Sequence, residues 1–427
     1  MTEIQQQSVC GGVNFRSIKD SRFKTVRMSV NFMQPLSEAT AAPNAVLPYL
    51  LTRTSRRYPD LTKLNGHLAE LYGAQLDAYV FKLGDVQVLS IFASGIADKY
   101  SLGGEKVSEE LSKLLCSVIF DPLFENGMFP KDGFEQERRQ LMEKIDAEYN
   151  DKRTYAFLRC AGIMCKGEPY GIPRCGTKKD IENLRLENLN KVWSSLIHNA
   201  KAEIMVVGDC DPVPVYDEFS AAFHNLGRAE AQDYTNKVVK AAADVKNITE
   251  KQNVTQSKLV LGFRTGCAEP DVNVPAAKLM NVLFGGSPNS KLFLNVREKL
   301  SLCYYCSSLY DPLKGIIFVQ SGVETKNIKS AQTEILKQLD EVKKGNFTDE
   351  ELNAAKLSIC NSYRTIADSP DGLEGWYLSK TFSDPAEDPE EEAEKVRAVT
   401  REEVIKAAGK MTLDTVYALE GSGAENK

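Results

Sequence analysis

The chain has 427 residues, 42% of them hydrophobic, which is enough for a sizeable core and favours two domains over one. A net charge of -6 with scattered Lys and Arg excludes a phosphate-tracking surface, so nucleic acid is not an expected partner. No stretch approaches the ~18 apolar residues of a membrane span, and the polar start MTEIQQQSVCGG has no apolar segment after basic residues; a soluble, unexported, cytoplasmic protein is expected.

In chain order, the first clear strand is VLSIFASGI, closing on Ser94 and Gly95. It is followed by an amphipathic helix whose apolar face is Val107, Leu111, Leu114, Leu115 and Val118. Phe129 leads into a charged helix, KDGFEQERRQLMEKI, and the helix LRLENLNKVWSSL then precedes the apolar strand EIMVVGD. A polar, weakly periodic stretch over 227–253 reads as a linker, and after it the same landmarks recur a little over 200 residues on. GIIFVQSGV closes on Ser321 and Gly322, and Ile328, Ala331, Ile335, Leu339 and Val342 share a helix face. Phe347 precedes a helix opened by a Thr348–Glu351 capping box, and VTREEVIKAAGKM leads to TVYALEG. Strands with helices grouped between them, without strict βαβ alternation, predict an α+β fold. Two similar domains are expected, each a mainly antiparallel sheet packed with helices, at 1–226 and 254–427. The acidic run DPAEDPEEEAEK from Asp384 reads as a solvated loop and helix start.

Ten cysteines, mostly isolated, fit reduced, buried thiols rather than a disulfide framework. Cys160 and Cys165 lie five apart, and Cys303 and Cys306 form a CYYC, but neither pair has a second ligand pair at zinc-ribbon spacing. In a strand, alternation would put Cys303 and Cys306 on opposite faces.

The segments FEQERRQLMEKIDAEYND, GEPYGIPRCGTKKDIENLRLENL and KLFLNVREKLSLCYYCSS, in this order, resemble the pitrilysin/insulinase family of zinc metallopeptidases, the inverzincins, over nearly the whole chain. The resemblance implies a mitochondrial processing peptidase-like fold of two repeated α+β domains, with pairs of protomers enclosing peptide substrates. Active members carry HxxEH on an early helix and a distal glutamate; two imidazoles and that carboxylate hold zinc, and the internal glutamate takes the proton of the attacking water. Here the matching segment, NAVLPYLLTRTSRRYPD around Val46–Leu51, has neither His nor Glu. The family's second helix glutamate, seven residues after the first, falls from Glu137 onto Lys144, with Glu143 one place short. No metal is therefore expected in this chain. His67 and Glu70 read HxxEL, but by the repeat they match the segment carrying Arg297, and His67 is expected to be an ordinary surface or cap histidine.

What the resemblance retains is an arginine and a tyrosine seven residues apart, Arg297 and Tyr304, with Tyr305 as a substitute. In active members such a pair hydrogen-bonds the substrate backbone near the scissile bond; guanidinium is a rigid fork of donors, and a phenol can donate where charge grows on a carbonyl. Gly285 and Gly286 fall where the non-zinc subunit of the mitochondrial enzyme has a longer glycine-rich substrate loop, although two glycines near a proline also suit an ordinary turn. The expected function is a zinc-less subunit of a two-subunit bacterial peptidase. It would bind peptide through Arg297 and Tyr304 and complete the site of a homologous zinc-bearing partner, as a heterodimer or with a second copy. The alternative is a non-catalytic structural or peptide-binding scaffold, like the core subunits of the mitochondrial bc1 complex.

Overall fold

The computed structural model describes residues 3–229, 231, 235–382 and 387–421. The first half of the chain forms β1 (Glu3–Cys10), β2 (Val13–Lys19), β3 (Thr25–Pro35), α1 (Glu38–Leu51), α2 (Leu61–Glu70), β4 (Gln75–Leu83), β5 (Val86–Ile96), α3 (Val107–Phe120), α4 (Lys131–Asn150), α5 (Lys152–Met164), α6 (Lys178–Glu182), α7 (Leu186–Asn199), β6 (Lys201–Gly208) and α8 (Pro212–His224). The second half forms β7 (Lys246–Gln252), β8 (Ser257–Arg264), α9 (Val274–Asn281), β9 (Cys303–Asp311), β10 (Ile316–Val323), α10 (Ile328–Lys343), α11 (Asp349–Ile366), α12 (Pro370–Ser379), α13 (Pro389–Ala398), α14 (Arg401–Lys410) and β11 (Thr412–Gly421). Wide π-helical turns over Val282–Gly286 and Leu292–Lys299 lie between α9 and β9.

The two sheets have matching orders. One runs β1-β2-β6-β3-β5-β4 and the other β7-β11-β8-β10-β9. In the first, β2 and β6 are parallel, and in the second β7 and β11 are; all other neighbouring pairs are antiparallel. The repeat legible in the landmarks is thus a repeat of topology, with β1 the additional strand.

The chain divides into two compact units, and each contains one helix from the other half. The first unit comprises 1–145, 172–235 and 367–379, so it includes α12. The second comprises 146–171, 236–366 and 380–427, so it includes α5. These two helices follow α4 and α11 at the same place in the repeat. Each covers the second face of a sheet: α12 packs on β3 and β6, and α5 on β8, β10 and β11. Central strands such as EIMVVG in β6 read as continuous apolar runs because helices cover both faces. Arg16 donates to the carbonyl of Tyr377 (2.9 Å), Arg27 pairs with the buried Glu374, and the Arg27 guanidinium lies 3.7 Å from the Phe92 ring centroid. In the second unit, Glu250 on β7 accepts from Arg159, Tyr155 (2.9 Å) and Tyr417 (2.9 Å).

Several local expectations are met. Val107, Leu111, Leu114, Leu115 and Val118 are fully buried, and the Thr348–Glu351 capping box forms in both directions (2.8 and 3.2 Å). Lys246–Gln252, inside the stretch read as linker, is instead strand β7; it pairs in parallel with β11 and keeps polar side chains because it is an edge. The start of the acidic run, 384–386, lies outside the described residues, and its remainder is the N-cap and helix of α13, closed by an Asp388–Glu391 capping box. Eight of the ten cysteines are buried and all ten are free thiols.

Candidate functional site

In the first unit the segment expected to lack the metal motif is α1, which carries prolines at positions 43 and 48 within the helix. Lys144 on α4 extends over the face of Tyr49, its Nζ 3.9 Å from the ring centroid. One turn along, Arg53 donates to Glu137 (2.6 Å) and Gln136 (2.9 Å). Glu143, one place short of the family position, is exposed and lies 3.7 Å from Arg139 of its own helix. Lys144 is therefore the α4 residue that faces Tyr49, and a cation–π contact joins α1 to α4. Burial raises the Tyr49 phenol to about 12, with smaller contributions from Cys175, Asp77 and Glu137. Among the described residues, no group of three or more His, Cys, Asp and Glu side chains could hold a metal ion.

His67 does not contribute to such a group. It sits in the last turn of α2, stacked on Tyr58 (centroids 4.9 Å apart), with Nδ1 3.7 Å from Glu70. Its carbonyl accepts the capping N–H of Leu71.

In the second unit Arg297 lies on the π-helical turns that occupy the place of α2. Such turns are rare and often coincide with functional positions. Leu300 N–H donates to Asn295 O (3.2 Å) and Leu302 N–H to Val296 O (3.1 Å). Lys291 anchors the segment to Glu351 (2.7 Å), and Asn295 donates to Gln338 (3.0 Å). The Arg297 guanidinium stacks 4.6 Å from the Phe293 centroid and lies 3.5 Å from Glu298, with its side chain 41% exposed. Ser301, with φ 49°, occupies the left-handed region that costs a non-glycine residue roughly 1–2 kcal/mol, and it turns the chain from this segment into β9.

At the start of β9 the register with β10 shifts by one residue. Ser321 faces Cys306 and Gly322 faces Tyr305, but Val323 faces Cys303, leaving Tyr304 as the extra residue of a β-bulge. Two consequences follow. Tyr304 projects outward, 63% exposed, while Cys303 and Cys306 turn to the same buried face. The expectation of opposite faces is corrected here: strict alternation fails because a bulge, which no residue pattern announces, lies between the two cysteines. Tyr305 has a different environment from Tyr304. Its ring fits over Gly322, where a Cβ would collide with it, and under the Arg153 guanidinium at 4.4 Å, and burial raises its phenol to about 12.

Gly285 is buried, and a Cβ on it would meet Leu292 at 2.6 Å and Ser308 at 2.7 Å; Gly286 is exposed, beside Asn281. Arg297 acts electrostatically on Cys303, next to Tyr304 in the chain. A separate concavity of about 460 Å³, lined by residues including Glu269, Asp271, Lys380 and Glu392, contains none of the residues predicted for the site.

Comparison with known proteins places this arrangement in a family. The family profile described as "Peptidase M16 inactive domain" matches residues 183–359. The "Probable inactive metalloprotease YmfF" of Bacillus subtilis is 32% identical over 96% of this chain and 96% of its own length. A crystal structure of a conserved protein from Enterococcus faecalis aligns with a TM-score of 0.92 at 29% identity, covering 99% of this chain and all of that one. A peptidase M16 inactive domain from Pseudomonas fluorescens aligns over 99% of this chain and 100% of its own, with a TM-score of 0.78 and 19% identity. The chain belongs to the M16 metallopeptidase family, the pitrilysin/insulinase type. It is a member in which α1 offers neither imidazole nor carboxylate where the metal motif would lie.

Proposed function

We propose that the chain is the substrate-handling, zinc-less subunit of a composite peptidase. Arg297 and Tyr304 engage the backbone of a peptide, and a homologous zinc-bearing subunit, or failing that a second copy, supplies metal and base. The observation that carries this reading is the contrast in accessibility. Tyr304 is looped out of its strand and 63% exposed near a half-exposed Arg297, whereas Tyr49, the phenol of the first unit's α1, is half-buried beneath Lys144. A phenol and a guanidinium held this way can donate to peptide carbonyls without first breaking a strong internal bond.

The test is reconstitution with a zinc-bearing M16 chain, using an unstructured peptide as substrate. Elemental analysis of this chain alone should give well under one zinc per chain, and cleavage should require both chains. Arg297→Ala should remove ~10²–10³ of the turnover while the pair still assembles by size-exclusion chromatography. Unchanged turnover with assembly intact would support a structural or peptide-binding scaffold instead.

A further inference from the structure

The CYYC motif has no part in the proposed peptide chemistry, yet the bulge gives it a geometry that its spacing alone did not suggest. Cys303 and Cys306 face β10 at Val323 and Ser321, so the four residues 303–306 of β9 run alongside only three of β10, and the two cysteines stand two residue steps of β10 apart. At ~3.4 Å per residue that span is about 6.8 Å, the upper end of the Cα separations that disulfides bridge. Each thiol acts on the titration of the other, and the hydroxyl of the fully buried Ser321 acts on both. That hydroxyl is itself fixed by donating to the Tyr305 carbonyl (3.0 Å).

From this geometry we infer that Cys303 and Cys306 form an oxidation site, a vicinal dithiol that a hydroperoxide converts to a disulfide across the Tyr304 bulge. The neighbouring Cys306, then Ser321 and the positive charge of Arg297, together hold the Cys303 thiol below its ordinary value against the opposing effect of burial. Cys306 is shifted the other way, upward, as the partner that keeps its proton and through burial. The roles then divide. The Cys303 thiolate attacks one peroxide oxygen, the O–O bond breaks, and the departing hydroxide takes up a proton as water. The resulting sulfenic acid is attacked by the Cys306 sulfur, which loses its proton as a second water leaves. Two thiols lose two electrons in total and the hydroperoxide gains them. Cys303, at 9% exposure on an edge strand, is within reach of so small an oxidant, whereas Cys306 at 3% is placed to resolve rather than to initiate.

The link would clamp the bulge from which Tyr304 projects. Any effect on peptide handling rests on the role proposed for Tyr304; the disulfide itself does not.

The test treats the full chain with graded hydrogen peroxide at neutral pH, traps remaining thiols with an alkylating agent, and maps tryptic peptides by mass. Leu300–Lys314 contains both cysteines and no other. It should accumulate in a form lacking two hydrogens, reversible by dithiothreitol, before Cys10 and Cys175 lose their alkylatable thiols. In Cys306→Ser, Cys303 should instead be trapped as a sulfenic acid by a carbon nucleophile. Without oxidant, Cys303 should be alkylated roughly tenfold faster than Cys10, whose thiol burial pushes up. Arg297→Gln should slow that alkylation. A Leu300–Lys314 peptide that keeps two free thiols after Cys10 and Cys175 are consumed, or a Cys303 no faster than Cys10, overturns the proposal.

Discussion

The α1–α4 contact of the first unit and the β9 entry of the second are the two places to which the resemblance assigns the family's chemistry, and they hold their polar groups differently. In the first, Tyr49 and Lys144 satisfy each other and Arg53 pairs with Glu137, so the polar groups that remain are engaged. In the second, a left-handed serine, π-helical turns and a bulge surround Arg297 and Tyr304, and Tyr304 projects outward. The sharpest way to break this contrast is on the reconstituted pair. Tyr304→Phe should lower turnover by about 10²-fold with the substrate KM nearly unchanged, whereas Lys144→Ala should stay within about twofold. Equal losses from both would remove the distinction between a retained and a retired site.

The two exchanged helices give a second comparison. Glu374 on α12 is 1% exposed and pairs with Arg27, so Glu374→Ala leaves a guanidinium in the sheet without its carboxylate and should cost about 3 kcal/mol. Glu250 gathers three donors, but its side chain is 24% exposed and its partner Arg159 47%. Glu250→Ala should therefore cost only about 1 kcal/mol. Urea unfolding of both variants checks the order, and a reversal would mean that α5 rather than α12 carries the more critical anchor.

The sequence makes the repeat legible because landmarks such as Ser94-Gly95 and Ser321-Gly322 must recur wherever the same sheet is built twice. The degenerate motif is a fact of the sequence itself: the segment that the resemblance matches to it, around Val46–Leu51, has no histidine. The exchange of α5 and α12 was not legible, since each follows its expected predecessor in the chain and only packing shows which sheet it covers. The bulge at Tyr304 was hidden too. Its cause is the register between β9 and β10, a pairing of distant residues, and CYYC has no turn residue to mark it. Strand β7 reads as linker in the sequence because an edge strand needs few apolar side chains.

Burial and pairing of charge also differ within the second unit. Glu392 is buried, which on its own would raise its carboxyl, but Lys278 and Lys380 (2.7 Å) prevail and hold it well below the usual carboxylate range. A carboxyl depressed in the folded state contributes stability that is fully present above its unfolded value near 4.3 and is lost as pH falls toward the folded value. Stability should therefore decline by ~1–3 kcal/mol between about pH 5 and pH 2 through this group, and Glu392→Gln should flatten that decline in denaturant titrations. A variant with the same acid slope as the parent would assign the loss to other carboxylates.

The smallest effect is expected at Lys144, the residue that the resemblance matches to the family's distal glutamate. Lys144 is exposed at its head, so its contact with the Tyr49 ring is worth only about 0.5–1 kcal/mol. Lys144→Met keeps most of the aliphatic packing and removes the charge; Tyr49→Leu removes the ring. A double-mutant cycle of the two by chemical denaturation should return a coupling of about that size, reduced little by salt because a ring face, not an ion, is the partner. A coupling near zero would mean that α1 and α4 are held together by the Arg53–Glu137 pair and the surrounding apolar core, and that Lys144 stands at the retired position without replacing any of its function.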